Sequence, residues 1–178
     1  LKVTDVARIR KLVSGGQTGV DRAALDFAIE HNIPYGGWVP RGGRAEDMPK
    51  PPGLLAIYPE LREHSSRDWA PRTEANVINS GATLIVVSAP HQVGPGTKLT
   101  IKLALQHHKP YLVLDVGETS PSSVFEKTAG EKMFDFLEQF DADIALNVAG
   151  SRESSIPGIY SAAKRVLATF DTGDLFAS

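Results

Sequence analysis

Five short stretches of this chain, four of them with glycine, place polar or basic residues in spacings that suit anion binding. In the first, S-G-G-Q-T-G-V-D at residues 14–21, Gly15, Gly16 and Gly19 carry no β-carbon, so backbone N–H groups around Gln17 can converge on a ligand. If a helix follows, its first N–H groups have no partner within it, and its dipole puts roughly half a positive charge there. Such an end suits a phosphate. Thr18 can cap that helix or donate to the anion, whereas Asp21 favours the helix start but repels a phosphate, which predicts a polar or cationic ligand group beside it.

The second stretch, G-P-G-T at 94–97, offers Gly94, Gly96 and Thr97 as another cradle at a helix start. P-R-G-G-R-A-E-D at 40–47 sets Arg41 and Arg44 beside Gly42 and Gly43, two guanidinium forks that fit phosphate or carboxylate. The same loop also reads as solvated, with its arginines paired to Glu46 and Asp47. R-T-E-A-N at 72–76 supplies Arg72, which reaches the ligand or covers the sheet edge. There Thr73 reads as an N-cap, with Asn76 facing the same way. N-V-A-G-S-R at 147–152 gathers Asn147, Gly150, Ser151 and Arg152, a place for a ligand's far end or a turn that caps the last helix.

Other chemistries are poorly served. The glycine turn is neither the nucleotide loop G-x-x-x-x-G-K-[ST] nor G-x-G-x-x-G. The sequence has no cysteine, which removes disulfides, thiolate metal sites and cysteine nucleophiles and fits a reducing cytoplasm. No histidine pair has ligand spacing on one helix face, and no nucleophile elbow or triad is visible, so no residue is assigned a catalytic or metal-binding role. A formal net charge of −2 over 178 residues gives no global basic field, so neither nucleic acid nor a membrane surface is expected as partner.

These motifs need a scaffold. The chain has the length of one domain, 1–178, able to bury about 70% of its unfolded surface. Short β-branched runs alternate with helical stretches: strands at 11–14, 34–39, 83–88, 111–115 and 144–148, helices at 20–31, 68–79, 97–107, 122–140 and 158–170. T-L-I-V-V-S at 83–88 is apolar on both faces, as in a buried parallel sheet. The rhythm predicts an α/β, three-layer, Rossmann-like open and mostly parallel sheet, helices on both faces, with ligands beyond the strand carboxyl ends. Residues 40–67 read as one long irregular loop.

With its motifs assembled, the sequence resembles the putative molybdenum carrier family, the molybdenum cofactor carrier proteins within the wider LOG and DprA-like Rossmann superfamily. The resemblance spans Val13 to Phe170 and rests on S-G-G-Q-T-G-V-D-R-A-A-L-D at 14–26, P-R-G-G-R-A-E-D, R-T-E-A-N-V, G-P-G-T and L-N-V-A-G-S-R-E-S at 146–154. It implies a homo-oligomer, a tetramer, that holds molybdenum cofactor, a phosphorylated pterin, and passes it on to molybdoenzymes. LOG phosphoribohydrolases carry a catalytic glutamate after their P-G-G-x-G-T motif, where this chain has Thr100. Threonine cannot act as that base. Binding is therefore expected over catalysis, with an enzyme or sensor acting on a nucleoside monophosphate as the alternative.

Overall fold

The structure, a computed structural model, describes residues 6–88, 93–117 and 123–177, without the side chains of 123–126. Residues 89–92, which precede the G-P-G-T segment in sequence, and 122 lie outside the described residues.

In chain order the elements are β1 (Ile9–Val13), α1 (Val20–Glu30), β2 (Tyr35–Val39), β3 (Leu61–Glu63), α2 (Trp69–Ile78), β4 (Ala82–Val87), α3 (Pro95–Gln106), β5 (Tyr111–Asp115), α4 (Ser123–Leu137), β6 (Ile144–Gly150) and α5 (Ile159–Thr172). All six strands are parallel, in the order β3-β2-β1-β6-β4-β5. Three-layer α/β architecture is confirmed.

β4 is buried at every position, which explains its unbroken apolar sequence: helices cover both of its faces. On one face α5 packs between α1 and α4, closing a core around Phe27, Met133, Leu137, Leu146 and Phe170. α2 and α3 pair on the other face over a smaller cluster of Val77, Leu103 and Ala104. Each of the larger side chains buried here contributes about 1.5–3 kcal/mol relative to exposure.

Two sequence expectations change, and the strand order adds a third finding. The 40–67 loop holds a short 3-10 turn at Gly53–Ala56 and the edge strand β3, and it encloses its own cluster of Val39, Ala45, Leu54, Tyr58 and Leu61 against Leu25 of α1. α4 ends at Leu137, with Phe140 folded back in the next turn, its ring 5.6 Å from that of Phe136. β6, last in the chain, lies between β1 and β4, so the carboxyl ends of these three strands open into one crevice.

Candidate functional site

The crevice at these strand ends is a cavity of about 70 Å³, lined by the glycine turn after β1, the first half of α2, the start of α3 and the end of β6. Such a volume is enough for a tetrahedral oxyanion or a few waters.

The glycine turn is arranged differently from an open cradle. Gly16 N–H donates to Ser14 Oγ at 3.2 Å, Gln17 N–H to Asp21 Oδ2 at 3.4 Å and Thr18 N–H to Gln17 Oε1 at 3.3 Å. Val20 N–H donates to the Ser151 carbonyl at 3.2 Å. Most of the donors offered by the turn are thus met by the chain's own oxygens. Gly19 is the N-cap residue, without a side-chain cap, and Thr18 Oγ1 donates instead to Glu46. Thr18 is therefore not the cap of α1. Gly19 has φ +80°, and a Cβ there would meet the Ser151 carbonyl and lie 2.7 Å from Glu153 N; only glycine lets the turn meet the segment after β6. A Cβ at Gly16 would lie 2.8 Å from Leu54 Cδ1, so a substitution there tests packing against the long loop before it tests ligand binding.

Gly15, Gln17 and Asp21 line the cavity from this turn. Gln17 is 4% exposed; its Oε1 accepts from Thr18 N–H and from Glu46 N–H, the latter at 3.0 Å, which turns Nε2 away without a partner. Over Gly15 lies the Arg72 guanidinium, where a Cβ would collide with it. Arg72 is 8% exposed, its Nη1 3.6 Å from Asp21 Oδ2 and its Nε unpartnered. The cation beside Asp21 is the chain's own Arg72, not the ligand group expected there. Burial pushes the Asp21 carboxyl above the ordinary range, opposed by Arg72, the Gln17 N–H, Arg152 and Arg22. Burial likewise pulls Arg72 down, and the like charge of Arg152 adds to this while Asp21 opposes it. An unpaired buried donor costs about 1–3 kcal/mol, and both belong to side chains whose residues line the cavity.

α2 begins at Trp69 with Asp68 at its N-cap position. Thr73 is inside the helix, its hydroxyl donating to the Trp69 carbonyl at 2.9 Å, and is not the cap. Asn76 lines the cavity, but its side chain is committed to β2: Oδ1 accepts from Trp38 N–H at 2.7 Å and Nδ2 donates to Trp38 O at 3.0 Å. Trp69, one turn before Arg72 and Thr73, was not anticipated as a site residue; its signal is the i, i+3, i+4 spacing on one helix face. The guanidinium carbons of Arg72 and Arg152 lie 5.6 and 5.7 Å from its ring centre.

The second glycine stretch matches expectation better. Gly94 is the N-cap residue of α3, Pro95 opens the helix, and Gly96 and Thr97 line the cavity. No described residue lies within 4 Å of a Cβ at Gly94 or Gly96. Gly96 and Thr97 N–H groups meet no acceptor among the described residues. Thr100 also lines the cavity, its hydroxyl donating to the Gly96 carbonyl at 3.1 Å.

Arg41, Gly42 and Arg44 do not reach the cavity. Arg41 is exposed, Gly42 N–H donates to Glu63, and neither arginine pairs with Glu46 or Asp47. Asp47 instead takes a two-pronged bond from Arg22, at 2.9 and 3.0 Å, while Arg22 Nε donates to the Gly16 carbonyl at 3.1 Å. Glu46 faces Arg152, 3.5 Å away, and accepts from Thr18 and Ser154. Sequence reasoning missed Arg22, which clasps the long loop to the glycine turn. Among the described residues no group of His, Cys, Asp or Glu is placed to hold a metal ion. No helix among them is long and apolar enough to cross a membrane.

Comparison with known proteins identifies the family. The model of the Circularly permutated YpsA SLOG family matches residues 12–170. The chain belongs to that family. A crystal structure from Syntrophus aciditrophicus SB, described as "Putative molybdenum carrier protein", aligns at a TM-score of 0.77 with 39% sequence identity, over 92% of this chain and 96% of that one. The superfamily and the Rossmann-like fold expected from sequence are both supported. No curated protein matches the chain.

Proposed function

We propose that the protein binds, stores and hands on molybdenum cofactor without transforming it, holding the phosphorylated end of this cargo in the cleft between β1, β6 and β4. The observation that carries the reading is the pair of buried, unpartnered donors, Gln17 Nε2 and Arg72 Nε, at the strand ends. The likeness to a solved chain described as a molybdenum carrier supports the same cargo. A phosphate-sized group fits the cavity of about 70 Å³, and the bulkier pterin would rest at its mouth. There the open start of α3 adds the Gly96 and Thr97 N–H groups, with the helix dipole behind them. Molybdenum would arrive bound to its pterin, since among the described residues no group of His, Cys, Asp or Glu is placed to hold a metal ion.

Thr100 at the position where LOG hydrolases place glutamate supports a binding role over catalysis. A cytoplasmic homo-oligomer, a tetramer that serves molybdoenzymes, completes the proposal. Anoxic incubation with the released cofactor should give a stoichiometric complex that slows its oxidation, and native mass spectrometry should show the phosphorylated pterin and the oligomer mass together. Turnover or thermal stabilisation by a nucleoside monophosphate, with no cofactor bound at micromolar protein, would instead select the nucleotide reading. Saturation at a hundred times Kd adds about 2.7 kcal/mol of stability, so a thermal shift detects either ligand.

A further inference from the structure

We propose that Arg72 and Arg152 form a two-arginine clamp for a doubly charged tetrahedral oxyanion, such as a phosphate monoester, and that the anion enters by exchange. It takes the place of Asp21 as partner of Arg72 and of Glu46 as partner of Arg152. The inference deepens the proposed function and rests on its reading of the cleft as the ligand site, but it moves recognition from the glycine backbone to side chains.

Three observations lead there. The turn's own oxygens already occupy most of its backbone donors. Two like-charged guanidiniums are gathered around one indole ring, at 5.6 and 5.7 Å from its centre. Proteins bring such charges together where a shared anion compensates them.

Both existing pairs are loose. Arg72 and Asp21 are 3.6 Å apart, Arg152 and Glu46 3.5 Å, beyond the 2.7–2.9 Å of a good charge-assisted hydrogen bond. Arg72 Nε and Gln17 Nε2, more than nine-tenths buried, have no partner at all. A tetrahedral dianion between the arginines offers several oxygens from one position, whereas Asp21 and Glu46 leave Arg72 Nε and Gln17 Nε2 unmet.

Exchange makes a prediction that an ordinary binding residue does not: removing the competing carboxylate tightens binding. Inorganic phosphate at pH 8 is the probe, titrated into isotopically labelled full chain and followed by amide NMR. Arg152→Gln is expected to weaken phosphate binding at least fivefold, with Arg152→Lys recovering part of the loss. Asp21→Asn is expected to tighten it roughly three- to tenfold, since an asparagine oxygen still accepts from Gln17 N–H while releasing Arg72. Should Asp21→Asn fail to fold, Glu46→Gln makes the same test at the more exposed pair. Equal affinity in wild type and Arg152→Gln, weaker binding once the carboxylate is removed, or no phosphate binding by wild type at 50-fold millimolar excess would each overturn the clamp. Cofactor binding that ignores Arg152→Gln overturns it and leaves the carrier function standing. Phosphate results as expected, with no cofactor bound, keep the clamp and remove the carrier.

Discussion

The turn at residues 14–19 and the helix start at 94–97 both put glycines at the rim of the cleft, yet they are built in opposite ways. The first is filled: Ser14, Asp21, Gln17 and the Ser151 carbonyl take up its donors, and Leu54 and the segment after β6 press against its glycines. Among the described residues the second is open, with none within 4 Å of where a side chain at Gly94 or Gly96 would begin. Glycine serves close packing in one region and access in the other. The same residue type therefore says little about ligand contact until its neighbours are known.

The largest effect that would break this contrast is on stability. Gly19→Ala must force a Cβ into the Ser151 carbonyl at a φ of +80°, and is expected to cost about 2–4 kcal/mol. Gly96→Ala, in the first turn of α3 with open space around it, should be neutral or stabilise by about 0.4–1 kcal/mol. Urea unfolding of the two variants measures both, and equal midpoints would erase the distinction.

A smaller effect concerns how the filled turn is held. Arg22→Ala removes the two bonds to Asp47 and the bond to the Gly16 carbonyl. The expected loss is about 1–3 kcal/mol, with faster amide exchange at residues 44–48 and 15–18 and no change at 94–97. Exchange that speeds equally at α3 would show that the two regions are one unit.

The smallest and most local test is titration. Asp21, facing Arg72, Arg152, Arg22 and the Gln17 N–H, is raised, mainly by burial. Asp47 is lowered, first by its hydrogen bond from Arg22. Burial pushes Glu46 up, but bonds from Thr18 and Ser154 and the charge of Arg152 outweigh it, despite Asp47 nearby, and leave it lowered. The signs differ accordingly. Glu46 and Asp47 contribute stability that is present above the ordinary carboxylate value, about 4, and is lost as pH falls through their folded values. Ionised Asp21 costs stability, and acidification through its raised value relieves that cost. In a carboxyl NMR titration Asp21 should take up its proton first on descending pH, before Glu46 and Asp47 release the long loop. The reverse order would mean that the turn, not the loop clasp, is the well-paired region.

Much of the scaffold was legible because its causes are local. The alternation of β-branched runs with helical periods placed five of the strands and all five helices to within a few residues, since propensity and periodicity act over neighbouring positions. β3 escaped notice because Leu61-Arg62-Glu63 is a three-residue edge strand without β-branched residues; its pairing with β2 comes from the loop that delivers it. In the site, Gly15, Gln17, Asp21, Arg72, Gly96 and Thr97 do line one cavity. Arg41 and Arg44 drew attention by composition, while Arg22, in an unremarkable helical position, makes the contacts.

The sequence by itself determined the α/β class, the glycine-rich turns at strand ends and the absence of cysteine chemistry, because each is a property of a residue or its near neighbours. Only the tertiary structure decided that β6 enters between β1 and β4, bringing Arg152 to the cleft that Gly15 and Arg72 share. It alone decided that Asp21 keeps Arg72 and that Asn76 is spent on β2. Such choices are competitions between distant groups for the same donors and the same space, and no local pattern records their outcome.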